Sequence, residues 1–232
     1  MKLAEALAPA RVRGVEYLDD PAVSDDVRER SLADVARSNV LFGGRAAVVA
    51  AVQPLLDVLP ATVSVLDIGT GHAEIAAVVR EMLQASGRTA RVTGVDIAES
   101  VARAGSRFLD SATAGDALHL PLRDASADLV ICSQLLHHFA ERDARAVLAE
   151  LHRVSRGWVV VSDLLRSRAA AAGFWIASLA LGFHPVTRHD GVVSVMRGFT
   201  QGELEALVFA ATGVRPRMRR GVFWRVSATW RT

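Results

Sequence analysis

The 232-residue chain has one cysteine, one tyrosine and, in Lys2, one lysine. A lone cysteine excludes a disulfide framework and a cysteine zinc cluster, and Cys132 lies in an apolar run that reads as core. The basic residues are almost all arginine and the formal net charge is only +2, so no lysine-rich track marks a nucleic-acid partner. Arg215, Arg217, Arg219 and Arg220 alternate beside a terminal hairpin and read as a solvated strand face. Residues 1–14 lack an apolar segment of signal-peptide length, which predicts a cytoplasmic protein. The longest nearly uncharged stretch, 169–183, is short for a membrane span. Compact ligand spacing such as His-Glu-x-x-His is missing, so no metal is expected.

What the chain does have is organised around residues 63–73, an apolar β-branched run that ends in Asp67 and then turns through Gly69 and Gly71 into a helical pattern. Such a run suits a strand buried on both faces of a parallel sheet, and the glycines let backbone approach a ligand at its carboxyl end. Two glycines can also merely close a βα turn. The next strand, 90–95, ends in Asp96, at the offset where a carboxylate can accept from both hydroxyls of a ribose; the alternative is a cap on the following helix. A dinucleotide site wants a third glycine where Glu74 stands, and an acid there would face a pyrophosphate, so a ligand without phosphate fits better.

Residues 1–22 read as an irregular arm. Ser24 opens a helix to about residue 42, in which Leu32, Val35, Ala36, Asn39 and Val40 share an apolar face; Asn39 there either ties core elements together or points into a ligand pocket. A helix at 46–59 stops at Pro60. Strands at 63–68, 91–95, 111–114, 127–133 and 157–163 then alternate with helices at 73–86, 99–109 and 141–154, which predicts an α/β, Rossmann-like fold with a mostly parallel sheet. A capping box at Thr200 and Glu203 opens a helix to about residue 211. A hairpin of strands 214–219 and 222–230, turning at Arg220-Gly221, closes the chain. The expected organisation is an arm with capping helices over 1–60 and a core over 61–232 that carries a lid insertion at about 166–199.

The pattern of residues 65–71 (Val-Leu-Asp-Ile-Gly-Thr-Gly), of Val95-Asp96, of Gly115-Asp116-Ala117 before Leu120-Pro121, and of 128–139 (Asp-Leu-Val-Ile-Cys-Ser-Gln-Leu-Leu-His-His-Phe) resembles the class I S-adenosylmethionine-dependent methyltransferases. It is closest in kind to the small-molecule enzymes of ubiquinone and menaquinone type. Ala73 departs from the third glycine that many members have. The resemblance implies a seven-stranded sheet with an antiparallel last strand and S-adenosylmethionine as cofactor, with S-adenosylhomocysteine as product. It implies that Asp67, Gly69, Thr70 and Gly71 surround the methionine part, that Asp96 and Ile97 meet the ribose, and that Gly115, Asp116 and Ala117 meet the adenine. Ser133 and Gln134 would lie beside the transferred methyl. Asp116 in an ordinary turn is the alternative for that residue.

Methyl transfer to a hydroxyl needs a base, because a phenol has a pKa near ~10. His138, at the position where the family usually carries a histidine, and His189, in the stretch after the fifth strand, are the candidates. Asn39, His137, Phe174, Trp175 and His184 are the expected substrate contacts, with Phe174 and Trp175 on a helix too apolar to stand uncovered. The reading is O-methylation of a small apolar or aromatic phenol, enol or pyrone in secondary metabolism, by a monomer or homodimer with no nucleic-acid partner. The alternatives are C-methylation of a quinone-type ring, a nucleotide-binding dehydrogenase, and a binding module without catalysis.

Overall fold

The computed structural model describes residues 8–12, 14–20, 22–97 and 108–232. Its α-helices are α1 (Asp25–Leu41), α2 (Gly44–Val52), α3 (Glu74–Ala85), α4 (Glu141–Val154), α5 (Arg168–Ala180), α6 (Pro185–Arg197) and α7 (Gln201–Thr212). Its strands are β1 (Thr62–Ile68), β2 (Thr89–Asp96), β3 (Ser111–Ala114), β4 (Ala127–Ser133), β5 (Ser155–Leu164), β6 (Arg217–Gly221) and β7 (Arg225–Arg231). The helix expected over 99–109 falls, except for residues 108 and 109, outside the described residues.

The strands form one sheet in the order β3-β2-β1-β4-β5-β7-β6. The first five are parallel, whereas β7 runs antiparallel to both β5 and β6. Central strands alternate their side chains between two apolar layers, as the two-residue period requires. Leu129, Ile131 and Val160 meet Val48 and Val52 of α2 and Val79 and Leu83 of α3 on one face. Val130, Cys132 and Val161 meet Val147 and Leu151 of α4 and Leu204 and Val208 of α7 on the other. Each such fully buried side chain contributes roughly 1.5–3 kcal/mol by leaving water. Burial also pushes the Cys132 thiol well above its ordinary pKa, which leaves it an inert core residue.

The strand order reverses at β1, whose neighbours are β2 on one side and β4 on the other. Open α/β sheets bind ligands in the crevice at the carboxyl ends flanking such a point. Residues 69–73 and 133–139 therefore emerge side by side, and the helices that the sheet does not bury, α1, α5 and α6, gather above them.

Two expectations are corrected here. The hairpin turn lies at residues 222–224, not at Arg220-Gly221, and Phe223 (φ 50°) and Trp224 (φ 56°) occupy the left-handed region that such turns normally reserve for Asn and Gly. In α1 the buried residues are Ser31, Asp34 and Ser38, while Val35 and Val40 are exposed. Its polar side docks on α6, where Asp34 accepts from the His184 N–H (2.7 Å) and the Thr187 hydroxyl (3.4 Å). The apolar side is thereby left to a cavity. No single helix among the described residues is long and apolar enough to cross a membrane; α1 with residues 44–58 meets that test only as a pair bent by 52°.

Candidate active site

A cavity of about 590 Å³ joins the loop after β1 to a pocket under α1, α5 and α6. At the β1 end, Gly69 has a φ of 71° and a Cβ there would press on Leu135 at 2.9 Å, so only glycine suits the position. A Cβ on Gly71 would meet nothing within 4 Å: the loop borders open space that a ligand can fill. The Gly71 N–H donates to Asp96 Oδ2 (3.0 Å), and the Thr70 hydroxyl donates to Asp67 Oδ2 (2.9 Å), so the two strand-end acids set the loop from below.

Asp67 is 2% exposed, and burial, opposed by the Thr70 hydrogen bond and reinforced by the charge of Asp96, pushes its carboxyl up to about 6. The unfolded chain loses this proton near pH 3.8 while the folded chain holds it to about 6, so stability falls across that window and the full cost stands above it. Asp67→Asn in the ligand-free protein should therefore be neutral below pH 4 and stabilise by about 2–3 kcal/mol at pH 7.5. Urea titration at the two pH values checks this, and equal effects at both would contradict it.

Ser133 and Gln134 leave the end of β4 beside the loop. The Ser133 hydroxyl oxygen is buried with no hydrogen-bond partner among the described residues. Gln134 sits at φ 55°, a conformation that costs a non-glycine residue about 1–2 kcal/mol and is kept where function demands it. Its Nε2 donates to Asn39 Oδ1 (2.7 Å), and its Oε1 accepts from Arg225 Nη1 (2.7 Å). Asn39 thus lies both in the cavity wall and in a polar bridge between α1 and the sheet.

His137 is 4% exposed and forms part of the cavity wall. Its Nδ1 lies 2.7 Å from Oδ1 of Asp163 at the end of β5, and its backbone N–H donates to Asp163 Oδ2 (3.1 Å). Burial pushes the Asp163 carboxyl up, but the neighbouring His137, in charge and hydrogen bond, and the Leu164 N–H outweigh it and hold it below the usual range. An ionised carboxylate can only accept, so Nδ1 carries the proton shared with Asp163, and Nε2 is the ring's other nitrogen. The His138 ring lies against this one, tilted by 32° with centroids 4.3 Å apart, and burial, followed by the charge of His137, pushes it down to about 3.

The N-terminal arm, which gives no periodic signal, is part of the wall. Glu16 and Leu18 line the cavity, the Tyr17 and Leu18 N–H groups donate to the two oxygens of Asp190 in α6 (2.8 and 2.9 Å), and Arg11 donates to the carbonyls of His137 and Phe139. Glu16, His137 and His138 bring a carboxylate and two imidazoles within 4.8 Å of one another. However, Glu16 Oε1 is taken by Arg197 (2.8 Å) and Ser194 (2.8 Å), and that guanidinium opposes a second cation beside it.

Above the histidines the wall is aromatic. Phe42 meets Phe174 (5.6 Å between centroids) and Phe223 (6.3 Å) edge to face, and a Cβ on Gly191 would overlap the Phe174 ring, so α6 offers glycine where that ring seats. Leu32, Val35 and Trp224 complete this lobe.

Two expected contacts and one expected base are corrected. Trp175 is 50% exposed on the outer side of α5, with Ile176 and Leu179, and does not line the cavity; one turn of helix can present Phe174 inward only by turning its neighbour out. His184 caps α6, its side chain accepting from the Val186 N–H. His189 stacks on Tyr17 at 4.1 Å and contacts Asp190 (2.9 Å), also outside the cavity wall. Ile97, Gly115, Asp116 and Ala117 lie at the carboxyl ends of β2 and β3, beyond the enclosed part of the cavity; Ile97 is 76% exposed and Asp116 Oδ1 accepts from the Leu118 N–H (2.9 Å). Asp163, Arg225 and Glu16 were not expected from the sequence.

Residues 66–161 match the family described as methyltransferase domain. No curated protein sequence matches the chain. Among solved structures it is similar to a SAM-dependent methyltransferase from Aquifex aeolicus (TM-score 0.60, 16% identity, 89% of this chain and 98% of that one). It is also similar to human N-acetylserotonin methyltransferase in complex with SAM (0.60, 18%, 89% of this chain), of which it spans 56%. A Nostoc punctiforme protein described as a candidate O-methyltransferase is similar at 0.59 and 18% over 86% of this chain, which spans 60% of its length. The motif order, the sheet topology and the match agree: residues 66–161 match the methyltransferase-domain family, and the chain has the fold of the S-adenosylmethionine-dependent methyltransferases.

Proposed function

We propose that the protein transfers a methyl group from S-adenosylmethionine to the hydroxyl of a small, flat, largely apolar acceptor. The observation that carries this reading is the single cavity, with the glycine loop at one end, an aromatic lobe at the other, and the His137–Asp163 pair in the wall between. Bound S-adenosylmethionine supplies an electrophilic methyl on a sulfonium, and the displacement is in line. The chain's part is to hold the reacting atoms, exclude water and take a proton.

Asp67, Gly69, Thr70 and Gly71 would hold the methionine part, Asp96 with Ile97 the ribose, and Gly115, Asp116 and Ala117 the adenine, with Ser133 and Gln134 beside the methyl. His137 is the base. Its Nε2 would take the proton that the acceptor hydroxyl gives up on methylation, and Asp163 would stabilise the resulting imidazolium. His138, held neutral and weakly basic, packs and positions it. The arm, α1, α5 and α6 act as a lid, with Phe42, Phe174, Phe223 and Trp224 around the acceptor.

The test is transfer of labelled methyl to a panel of hydroxyaromatic acceptors and their deoxy analogues. Label is expected only in acceptors with the hydroxyl. Transfer that persists to the deoxy analogues would favour carbon methylation instead.

A further inference from the structure

Arg225 and Arg166 are the two arginines buried to 6% exposure or less among the described residues, and they are treated differently. Arg166 pairs with both carboxylate oxygens of Glu203 (2.6 and 2.8 Å). Arg225, 4% exposed in the cavity wall, donates from Nε to the Phe42 carbonyl (3.0 Å) and from Nη1 to Gln134 Oε1 (2.7 Å), both neutral acceptors. No acid among the described residues lies within ion-pair distance of it, and its Nη2 has no acceptor. Burial pulls its pKa down to about 10, a direct sign of the cost, and Asp163, the acid that offsets this from a distance, is already committed to His137. A buried guanidinium without a counter-charge is expensive unless a ligand supplies one.

The groups around it are donors as well. Because Gln134 turns its oxygen to Arg225 and its nitrogen to Asn39 Oδ1, the bridge leaves the Asn39 amide nitrogen and Arg225 Nη2, both on residues of the cavity wall, without an acceptor among the described residues. Phe42, Phe223 and Trp224 lie alongside in the same wall. Phe223 and Trp224 are held in the left-handed region directly before Arg225, so the strained turn and the buried charge are presented together.

We propose that Arg225 recognises an oxyanion on the methyl acceptor, which is therefore a flat apolar acid, such as a hydroxyaryl carboxylate, rather than a neutral phenol. The planar fork of a guanidinium matches a carboxylate, and desolvation in this cavity strengthens the pairing. This rests on the cavity's being a methyltransferase site. The methionyl carboxylate is the other carboxylate within reach of the same chemistry. The strand order favours the acceptor: Arg225 opens β7, separated from the β1 glycine loop by β4 and β5.

Calorimetry of the full chain tests the assignment, with salicylate and its neutral isostere salicylamide titrated into protein saturated with S-adenosylhomocysteine. Wild type should bind salicylate at least about tenfold more tightly than salicylamide. Arg225→Gln should lose that preference, Arg225→Lys should keep part of it, and S-adenosylhomocysteine should bind Arg225→Gln within about twofold of wild type. Equal binding of the two probes by wild type, no binding of salicylate, or a preference retained in Arg225→Gln would overturn the proposal. A tenfold or greater loss of S-adenosylhomocysteine affinity in Arg225→Gln would assign the guanidinium to the methionyl carboxylate and overturn it too. Failure of wild type to bind S-adenosylhomocysteine at all is a separate result, and it would overturn the methyltransferase reading itself.

Discussion

His137→Gln is expected to lower turnover by about 10³, within the range found for removing a positioned base, while leaving S-adenosylhomocysteine affinity within about twofold. Glutamine is the informative replacement because its amide can still donate to Asp163. His137→Ala would leave that carboxylate buried without its partner, at a cost of about 3–5 kcal/mol in stability, and so would confuse folding with catalysis. Asp163→Asn should lose about 10² or more, because it no longer fixes the Nδ1 proton or stabilises the imidazolium. His138→Ala should lose less than about tenfold, since a ring pushed down to about 3 is a poor proton acceptor at neutral pH. Steady-state kinetics with an accepted hydroxyaromatic substrate decides the order. A larger loss in His138→Ala than in His137→Gln would transfer the base to His138.

Asp96→Ala should weaken S-adenosylmethionine by roughly 1.5–3 kcal/mol, about 10- to 150-fold, the scale for losing hydrogen bonds to a charged acceptor. Part of that loss comes through the protein, because Asp96 Oδ2 also accepts from the Gly71 N–H and so holds the loop that faces the cofactor. Asp116→Ala should cost less, since one of its oxygens serves the local turn at Leu118. Calorimetric affinities for the three proteins check both statements. An Asp96→Ala variant with unchanged affinity would remove Asp96 from the site.

The parts of the fold that were legible in the sequence are those where one physical requirement dominates. A strand covered on both faces must be largely apolar, and a positive-φ turn with no room for a Cβ calls for glycine, so β1 and Gly69 could be read directly. The capping box at Thr200 and Glu203 is as local and forms as expected, with Thr200 accepting from the Glu203 N–H.

What was not legible depends on contacts distant in the chain. Glu16 and Leu18 have no periodicity; α6 fixes the arm by giving Asp190 to its backbone. The apolar face of α1 carries the same pattern whether it meets core or cavity, and only the docking of Asp34 on α6 separates the two. A helix apolar on all sides, such as α5, cannot announce which side is covered, so Phe174 and Trp175 could not be told apart. The hairpin turn was displaced because Arg220-Gly221 suits a turn locally, whereas the β5–β7 register pairs Leu164 with Arg225 and forces the strain onto Phe223 and Trp224. One signal for the missed site residues did exist. Asp163 follows the apolar run 158–161 and Arg225 opens a strand whose side chains are buried but for the last, and charges so placed need a partner.

If this cavity holds S-adenosylmethionine and not a nicotinamide cofactor, titration of the ligand-free chain with S-adenosylhomocysteine should show one site per chain, displaced by S-adenosylmethionine. Separate titration with NADH should give no heat, because the Glu74 carboxylate at the start of α3 repels a pyrophosphate. Binding of NADH with no binding of S-adenosylhomocysteine would contradict that reading.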